Sequence, residues 1–515
     1  MEAVAPEQPL KILPTERALI IFFSAVALLI HLLTNGGYGY FRDELYYIAC
    51  GQHLALGYVD QPPLSILLIR LSRILFGDSL PGIRLMPALA GAGTIALTGA
   101  IARQLGGRSW AIGLSCTAAL TAPVYLINAN FFSMNAFEPL FWMGCVYFLV
   151  RIINGGPSIL WLWFGLLAGL GVENKHSTVF FGAAVLLALL LTPERRYLGQ
   201  KWIWFGGLIA LLVALPNIIW QMQNHWATWE LLTNVARSTK NVVLDPAQFI
   251  AQQVLLMNPG TLPLWLGGLI WLIAPTDGRR YRALAIIYLV ALAEFILLHG
   301  KVYYLAPAYP MLFAAGGVAV ERLVRWRWLR PALAMLMIVP VVILAPIALP
   351  IITPEKLVAY MKAIHFQPPR TETSHTAALP QHFADQLGWE EMVSSVAQTY
   401  HQLQPEDQKR AAIFCQNYGQ AGAIDFFGPR HGLPAAISGH QNYFLWGPRD
   451  YTGDVMLVLD SEADDEREQF ASVQDLGQVA SSPWAMPWEH RQHIYLCRGL
   501  KGGLRGFWPR VKNWL

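Results

Sequence analysis

The chain has 515 residues, of which 55% are hydrophobic and only 14% charged, and its formal net charge is +4. Soluble domains carry about a quarter charged residues, so this composition points to a membrane protein. The small net charge and dispersed Lys and Arg exclude a nucleic-acid partner. Five cysteines, at 50, 116, 145, 415 and 497, show no spacing suited to zinc. Cys116 and Cys145 fall inside apolar runs and read as small core residues. Cys415 and Cys497 read either as a disulfide or as two buried thiols.

Residues 1–17 form a polar leader with Lys11 and Arg17, and residues 18–34 make the first predicted span. No small-residue cleavage site follows it, so it is expected to be a retained anchor. Next comes Tyr40–Pro63, YFRDELYYIACGQHLALGYVDQPP, which sets Arg42, Asp43, Glu44 and Asp60 beside Tyr46, Tyr47 and Tyr58. Carboxylates at the mouth of a membrane bundle are costly unless hydrated, paired or used, which makes this stretch the leading functional candidate. Pro63–Phe76, with Arg70 and Arg73 on one side, suits an amphipathic helix lying in the membrane surface.

Further spans are predicted near 82–102, 109–128, 134–153, 158–173, 177–192, 202–221, 254–274, 282–298, 303–320 and 331–351, making about eleven. Alternating them sorts the loops into two sets. One holds Arg103 and Arg108, Arg151, Arg195, Arg196 and Lys201, Arg279, Arg280 and Arg282, and Arg322, Arg325, Arg327 and Arg330. The positive-inside rule makes that side cytoplasmic, together with the N-terminus. The opposite set holds the Asp43–Glu44 loop, Asn128–Glu138, Glu173–His176, the long loop 221–248 and His299–Tyr304. The polar chemistry is thus segregated to the external face.

From residue 352 the composition turns polar and the apolar runs shorten to strand length, at 411–414, 435–438, 455–459 and 493–497. Helical periodicity appears at 385–400 and 419–427. The expected organisation is a polytopic α-helical membrane domain, 1–351, with an external catalytic loop at 35–81, and an external (periplasmic) α/β domain, 352–515. The run around Cys415–Gly422 places a Gly-containing turn before a helix, but it lacks a full GxGxxG fingerprint.

A carboxylate in a partly dehydrated pocket can act as general base toward a sugar or lipid hydroxyl. Nearby cations can hold a phosphate, and tyrosine hydroxyls can donate to its oxygens. Such a face fits a phosphorylated, membrane-borne donor and a hydroxyl acceptor. The Asp43–Glu44 pair after the first span, the GYVDQPPL segment and the late KVYYLAPAYP segment resemble the polyprenyl-phosphate-dependent glycosyltransferases. More narrowly, they are similar to glycosyltransferase family 39 and the lipid A aminoarabinose transferase, which have the C-type transmembrane glycosyltransferase fold. The resemblance covers roughly residues 18–350.

That resemblance implies an inverting transfer from a polyprenyl-phosphate sugar to an external lipid, glycan or protein acceptor in the cell (inner) membrane. It makes Asp43 the catalytic base and Glu44 its partner. Tyr47, Tyr58, Lys175 and Tyr304 become substrate or donor-phosphate contacts. Asp60 matches an acidic residue of a metal site, so a divalent metal ion is a candidate cofactor with hard oxygen ligands. Two cations of the aminoarabinose transferase are replaced here by Tyr46 and Gln61, and Lys301, Arg84 or Arg237 are the candidates to compensate. Glu138, at an external span end, is a candidate pocket residue.

Each residue also has a plain structural reading. Asp43 could pair with Arg42 or Arg84. Asp60 could cap the helix after the prolines. Lys175 could be a snorkelling anchor, and His176, His225 and His299 read as interfacial. The alternative function is a membrane transporter or lipid flippase. Transporters place charges and broken helices near the midplane in two similar halves; here the charges sit at external ends and no halves are evident. A non-catalytic scaffold is the third reading, and the acidic loop argues against it.

Overall fold

The computed structural model describes residues 13–515 except 275, 371 and 375. The leader up to residue 12, with Lys11, lies outside the described residues. The chain forms two compact units that do not follow chain order: one takes 81–220, 243–351 and the described residues up to 36, and the other takes 37–80, 221–242 and 352–515.

The first unit is helical. Among the described residues, six helical segments are long and apolar enough to cross a membrane: Pro14–Thr34, Leu85–Gln104, Met134–Ile153, Lys201–Gln223, Val302–Leu323 and Leu329–Ala348. Two bent pairs, broken by 106° after Leu190 and by 95° after Leu256, raise the number to eight if each is one span. Helices occupy the other predicted windows too, but they are short. Pro123 follows Ala122 at a break that ends Ser109–Thr121, while Leu160–Asn174 and Arg282–Leu297 have only 15 and 16 residues.

Helices in such a unit gain little from hydrophobic association and pack instead through small residues and hydrogen bonds. A β-carbon at Gly316 would collide with the Leu264 carbonyl, and one at Gly268 with the Leu312 carbonyl, so glycine is what lets these helices touch. Glu321 reaches the head of Ser109–Thr121, where its oxygens accept from the N–H groups of Arg108 (2.6 Å) and Trp110 (3.0 Å). That satisfies donors a helix N-terminus leaves open. Arg103 and Glu16 form a buried ion pair at 2.8 Å.

The Arg-rich loops are tied to one another. Arg322 donates to the Gly106 carbonyl, Asn154 to the Gln104 carbonyl, Arg280 to the Ile153 carbonyl, and Tyr281 to Asn154. These contacts gather loops that alternation of the spans had assigned to one side.

The second unit holds a five-stranded sheet of order β2-β1-β3-β5-β4. Its strands are β1 (Ala411–Cys415), β2 (Ala436–Ser438), β3 (Val455–Asp460), β4 (Phe470–Gln478) and β5 (His493–Leu500). β1 pairs in parallel with β2 and β3, while β5 runs antiparallel to β3 and β4. β4 is an edge strand with mostly exposed side chains, so it carries no apolar alternation by which to recognise it. Cys415 and Cys497 are both buried and free, the second of the two readings.

The helix Tyr418–Phe427 links β1 to β2 and lies against the helix Arg42–Gln52. A β-carbon at Gly422 would stand 2.9–3.1 Å from the backbone of Leu45 and Tyr46. Glycine at 422 therefore sets how closely these helices approach, and that approach builds the acidic site below.

Candidate active site

Arg42, Asp43 and Glu44 occupy the first turn of the helix Arg42–Gln52, where negative charge is favoured by the helix dipole. Glu44 is fully buried, and its Oε2 accepts the Phe41 N–H at 2.8 Å, closing the helix N-terminus. Asp43 points elsewhere, its side chain 31% exposed. The Tyr418 hydroxyl donates to Asp43 Oδ1 at 2.9 Å, and Arg42 Nε stands 3.8 Å from the same oxygen. Among the described residues Oδ2 accepts no hydrogen bond. One oxygen is thus held and the other is left without a hydrogen bond among the described residues.

Arg42 is itself positioned. Its Nη1 is 3.8 Å from Asp385 Oδ1, its backbone N–H donates to the Asp385 carbonyl, and its guanidinium lies 5.5 Å from the centre of the Tyr418 ring. Burial pushes the Asp385 carboxyl up to about 6, against the pull of Arg42 and with the help of the Asp43 charge. Tyr418 is braced from behind: its N–H donates to His440 Nδ1 and the two rings stack at 4.8 Å. His440 Nε2 then donates to the Leu515 carbonyl. Burial, with Lys240 and Arg42 adding, holds His440 neutral, down at about 3.

Asp60 sits nearby in the same unit and does not cap a helix. The helix Leu64–Phe76 has Pro63 as its N-cap, with no side-chain hydrogen bond. Instead Asp60 Oδ1 accepts from the Tyr46 hydroxyl at 3.0 Å, and that hydroxyl accepts from the Asn442 N–H. Asn442 returns the link, its Oδ1 accepting from Val59 N–H at 2.7 Å. Burial pushes the Asp60 carboxyl up to about 7; the Asp43 charge adds to this, while the Tyr46 hydrogen bond and Lys240 oppose it. The rings of Tyr46 and Tyr418 lie 4.5 Å apart, so the two hydroxyl–carboxylate pairs share one aromatic wall.

Tyr58 is buried, and its hydroxyl accepts from the Ala55 N–H at 3.1 Å while facing the Cys50 and His53 carbonyls. It ties the loop rather than opening to a ligand. Tyr47 is buried with its ring edge-on to Tyr46. Among the described residues, no three His, Cys, Asp or Glu side chains gather in a way that could hold a metal ion. Asp43, Glu44 and Asp60 point to different partners, so they do not fit a metal site.

The first unit holds a second polar cluster. Lys175 Nζ donates to Asn135 Oδ1 at 2.9 Å and pairs with Glu138 Oε2 at 2.8 Å, and Ser177 donates to the other Glu138 oxygen. The Tyr304 ring centre lies 4.2 Å from Nζ. At 5% exposure Lys175 is a buried, paired cation and not a snorkelling anchor. The half-buried Tyr304 keeps its hydroxyl free of hydrogen bonds among the described residues. Lys301 precedes the 3-10 turn Val302–Ala308 as its N-cap. Arg84 is buried and donates to the Asn35 carbonyl, and His176 contacts Asn217.

Tyr418, His440 and Asn442 were not singled out from sequence. They lie 375 residues or more beyond Asp43 in the chain.

Comparison with known proteins agrees with this architecture. The structure of ArnT from Cupriavidus metallidurans in the apo state matches with a TM-score of 0.62, covering 93% of this chain and 98% of that chain at 14% identity. The fold is that of the C-type transmembrane glycosyltransferases. The same enzyme bound to undecaprenyl phosphate matches at a TM-score of 0.61 and 14% identity, over the same shares of both chains. With this C-type fold and its apolar helices, the chain is a multi-pass membrane protein.

In sequence, residues 60–220 match the family described as Dolichyl-phosphate-mannose-protein mannosyltransferase. The lipid A galacturonosyltransferase RgtD of Rhizobium johnstonii is 29% identical over 192 residues, 37% of this chain. The chain spans about 40% of the length of that curated relative. The resemblance to polyprenyl-phosphate-dependent glycosyltransferases therefore holds in sequence and in fold alike.

Proposed function

We propose that this protein is an integral membrane glycosyltransferase that moves a sugar from a polyprenyl phosphate to a hydroxyl acceptor on the external face. The observation that carries this reading is Asp43, with one carboxylate oxygen held by Tyr418 and the other open. Asp43 takes the acceptor's proton as the acceptor oxygen attacks the anomeric carbon. The bond from that carbon to the phosphate oxygen breaks, its electron pair leaves with the polyprenyl phosphate, and the configuration inverts. Lys175 and Tyr304 are our candidates for holding the donor phosphate, through a point charge and an unengaged hydroxyl.

Glu44 supports the base indirectly by closing the helix that carries it. Orientation follows the arginine-rich loops, with those loops cytoplasmic and the acidic cluster outside, in the cell (inner) membrane. A lipid A-like glycolipid is the acceptor class we favour, because the sequence relative acts on lipid A.

The test is transfer from radiolabelled polyprenyl-phosphate sugars by purified protein in detergent, comparing wild type with Asp43→Asn. Labelled glycolipid from wild type and a loss of about 100-fold or more in the variant supports the reading. Equal turnover in a folded variant would remove Asp43 as the base, and no transfer from any donor would remove the reading itself.

A further inference from the structure

We propose that an arginine-lined cavity in the first unit binds the phosphate headgroup of an anionic membrane lipid. The cavity has a volume of about 620 Å³ and is lined by Arg196, Arg279, Arg280, Arg282, Glu194 and the apolar Ile153, among others. That size falls within the range of about 300–1,000 Å³ seen for small-ligand sites and admits a phosphodiester headgroup with the start of its acyl chains.

The cavity exists because of local breaks in the fold. The chain bends by 106° after the helix Thr178–Leu190, which turns the 3-10 segment Pro193–Gly199 across the helix end. Its Tyr197 donates to the Ile152 carbonyl at 3.0 Å, while Tyr281 donates to Asn154 at 2.7 Å. Both bonds fix the lining to the C-terminal end of Met134–Ile153, so the cavity has rigid walls.

Its charge is unbalanced, with four arginines and one glutamate in its lining. Arg196 uses one nitrogen on Glu194 at 3.2 Å and on the Tyr197 hydroxyl. Arg280 donates to the Ile153 carbonyl. Arg279 and Arg282 make no hydrogen bond or ion pair among the described residues. Arginines that serve only as a topological signal need no common cavity and gain by spreading apart, because neighbouring like charges repel. Guanidinium groups converging on a recess match a phosphate, whose oxygens accept paired N–H donors. Basic recesses between membrane helices take anionic lipid headgroups in this way. Ile153 and Pro193 give the ligand's apolar part a surface.

The experiment uses the full-length protein in neutral detergent and follows Tm on adding phosphatidylglycerol, phosphatidylcholine or inorganic phosphate. Phosphatidylglycerol should raise the wild-type Tm by about 2 °C or more, with phosphatidylcholine and phosphate alone giving no rise. Arg279→Gln with Arg282→Gln should keep the lipid-free Tm and lose most of that rise. Native mass spectrometry should then count fewer bound phosphatidylglycerol molecules on the variant. An undiminished rise and count in the variant, or an equal rise with phosphatidylcholine, would overturn the proposal. A full rise with inorganic phosphate alone would overturn the lipid assignment. No readout here depends on sugar transfer, so failure of this proposal and failure of the transferase reading are separable.

Discussion

The Tyr418 hydroxyl donates to Asp43 Oδ1 at 2.9 Å, joining residues 375 positions apart in the chain. Tyr418 opens a helix that Asn417 caps, its Oδ1 accepting the Gln420 N–H at 3.0 Å. The strand–turn–helix segment after Cys415 thus delivers a hydroxyl to the carboxylate at the head of a second helix.

Tyr418→Phe removes that donor and keeps the ring that stacks on His440. A hydrogen bond to a carboxylate is worth about 1.5 kcal/mol, so kcat should fall by roughly tenfold with little change in KM. Steady-state kinetics checks both, and an unchanged kcat in the folded variant would reduce Tyr418 to a packing residue.

Asp60 should make stability depend on pH. Its folded carboxyl sits at about 7, above the ordinary value of 3.8, so the folded state holds a proton that the unfolded chain has released. Stability from this group is therefore complete below about pH 4 and is lost as pH rises through about 7. Asp60→Asn keeps an acceptor for Tyr46 and removes the ionisation. The unfolding free energy of wild type relative to the variant should drop between pH 4.5 and 7.5, on the order of 1–2 kcal/mol after allowing for partial exposure. Asp385 and Glu489 shift in the same direction but are common to both proteins, so they cancel in the difference.

The Lys175–Glu138 pair should cost more to break than to delete. Glu138→Gln leaves a buried ammonium without its counter-charge and should destabilise by about 3–5 kcal/mol. The double change Lys175→Met with Glu138→Leu removes both charges and should be milder. A thermal-unfolding double-mutant cycle reads this directly, and a double variant no better than Glu138→Gln would contradict it.

Gly422→Ala tests the helix contact beneath the acidic site. Alanine gains about 1 kcal/mol of helix propensity over glycine. Its β-carbon, however, would meet backbone atoms of Leu45 and Tyr46, which cannot swing aside as a side chain can. Overpacking of this kind costs about 1–3 kcal/mol, so a lower Tm and a lower transfer rate are expected together. A raised Tm with full activity would show that the helices yield freely.

Much of this protein follows from sequence alone. Long apolar runs must become helices, because backbone groups in lipid can bond only within their own segment. The arginine-rich loops alternate with the acidic ones along the chain, which gives an electrostatic expectation of sidedness that needs no coordinates. Strand-length apolar runs after residue 352 mark β1, β2, β3 and β5. Asp43 stood out because a charge beside such runs is costly.

Tertiary structure alone decided what the neighbouring polar groups do. Glu44 and Asp43 are adjacent and chemically alike, yet one closes a helix and the other faces outward, since successive helical positions point about 100° apart. Tyr418 became the partner of Asp43 only when segments 37–80 and 352–515 folded into one unit. Pairing at such a separation rests on shape and burial and leaves no periodic trace in the chain, which is why composition and spacing located the acidic stretch but not the Tyr418 hydroxyl that holds Asp43.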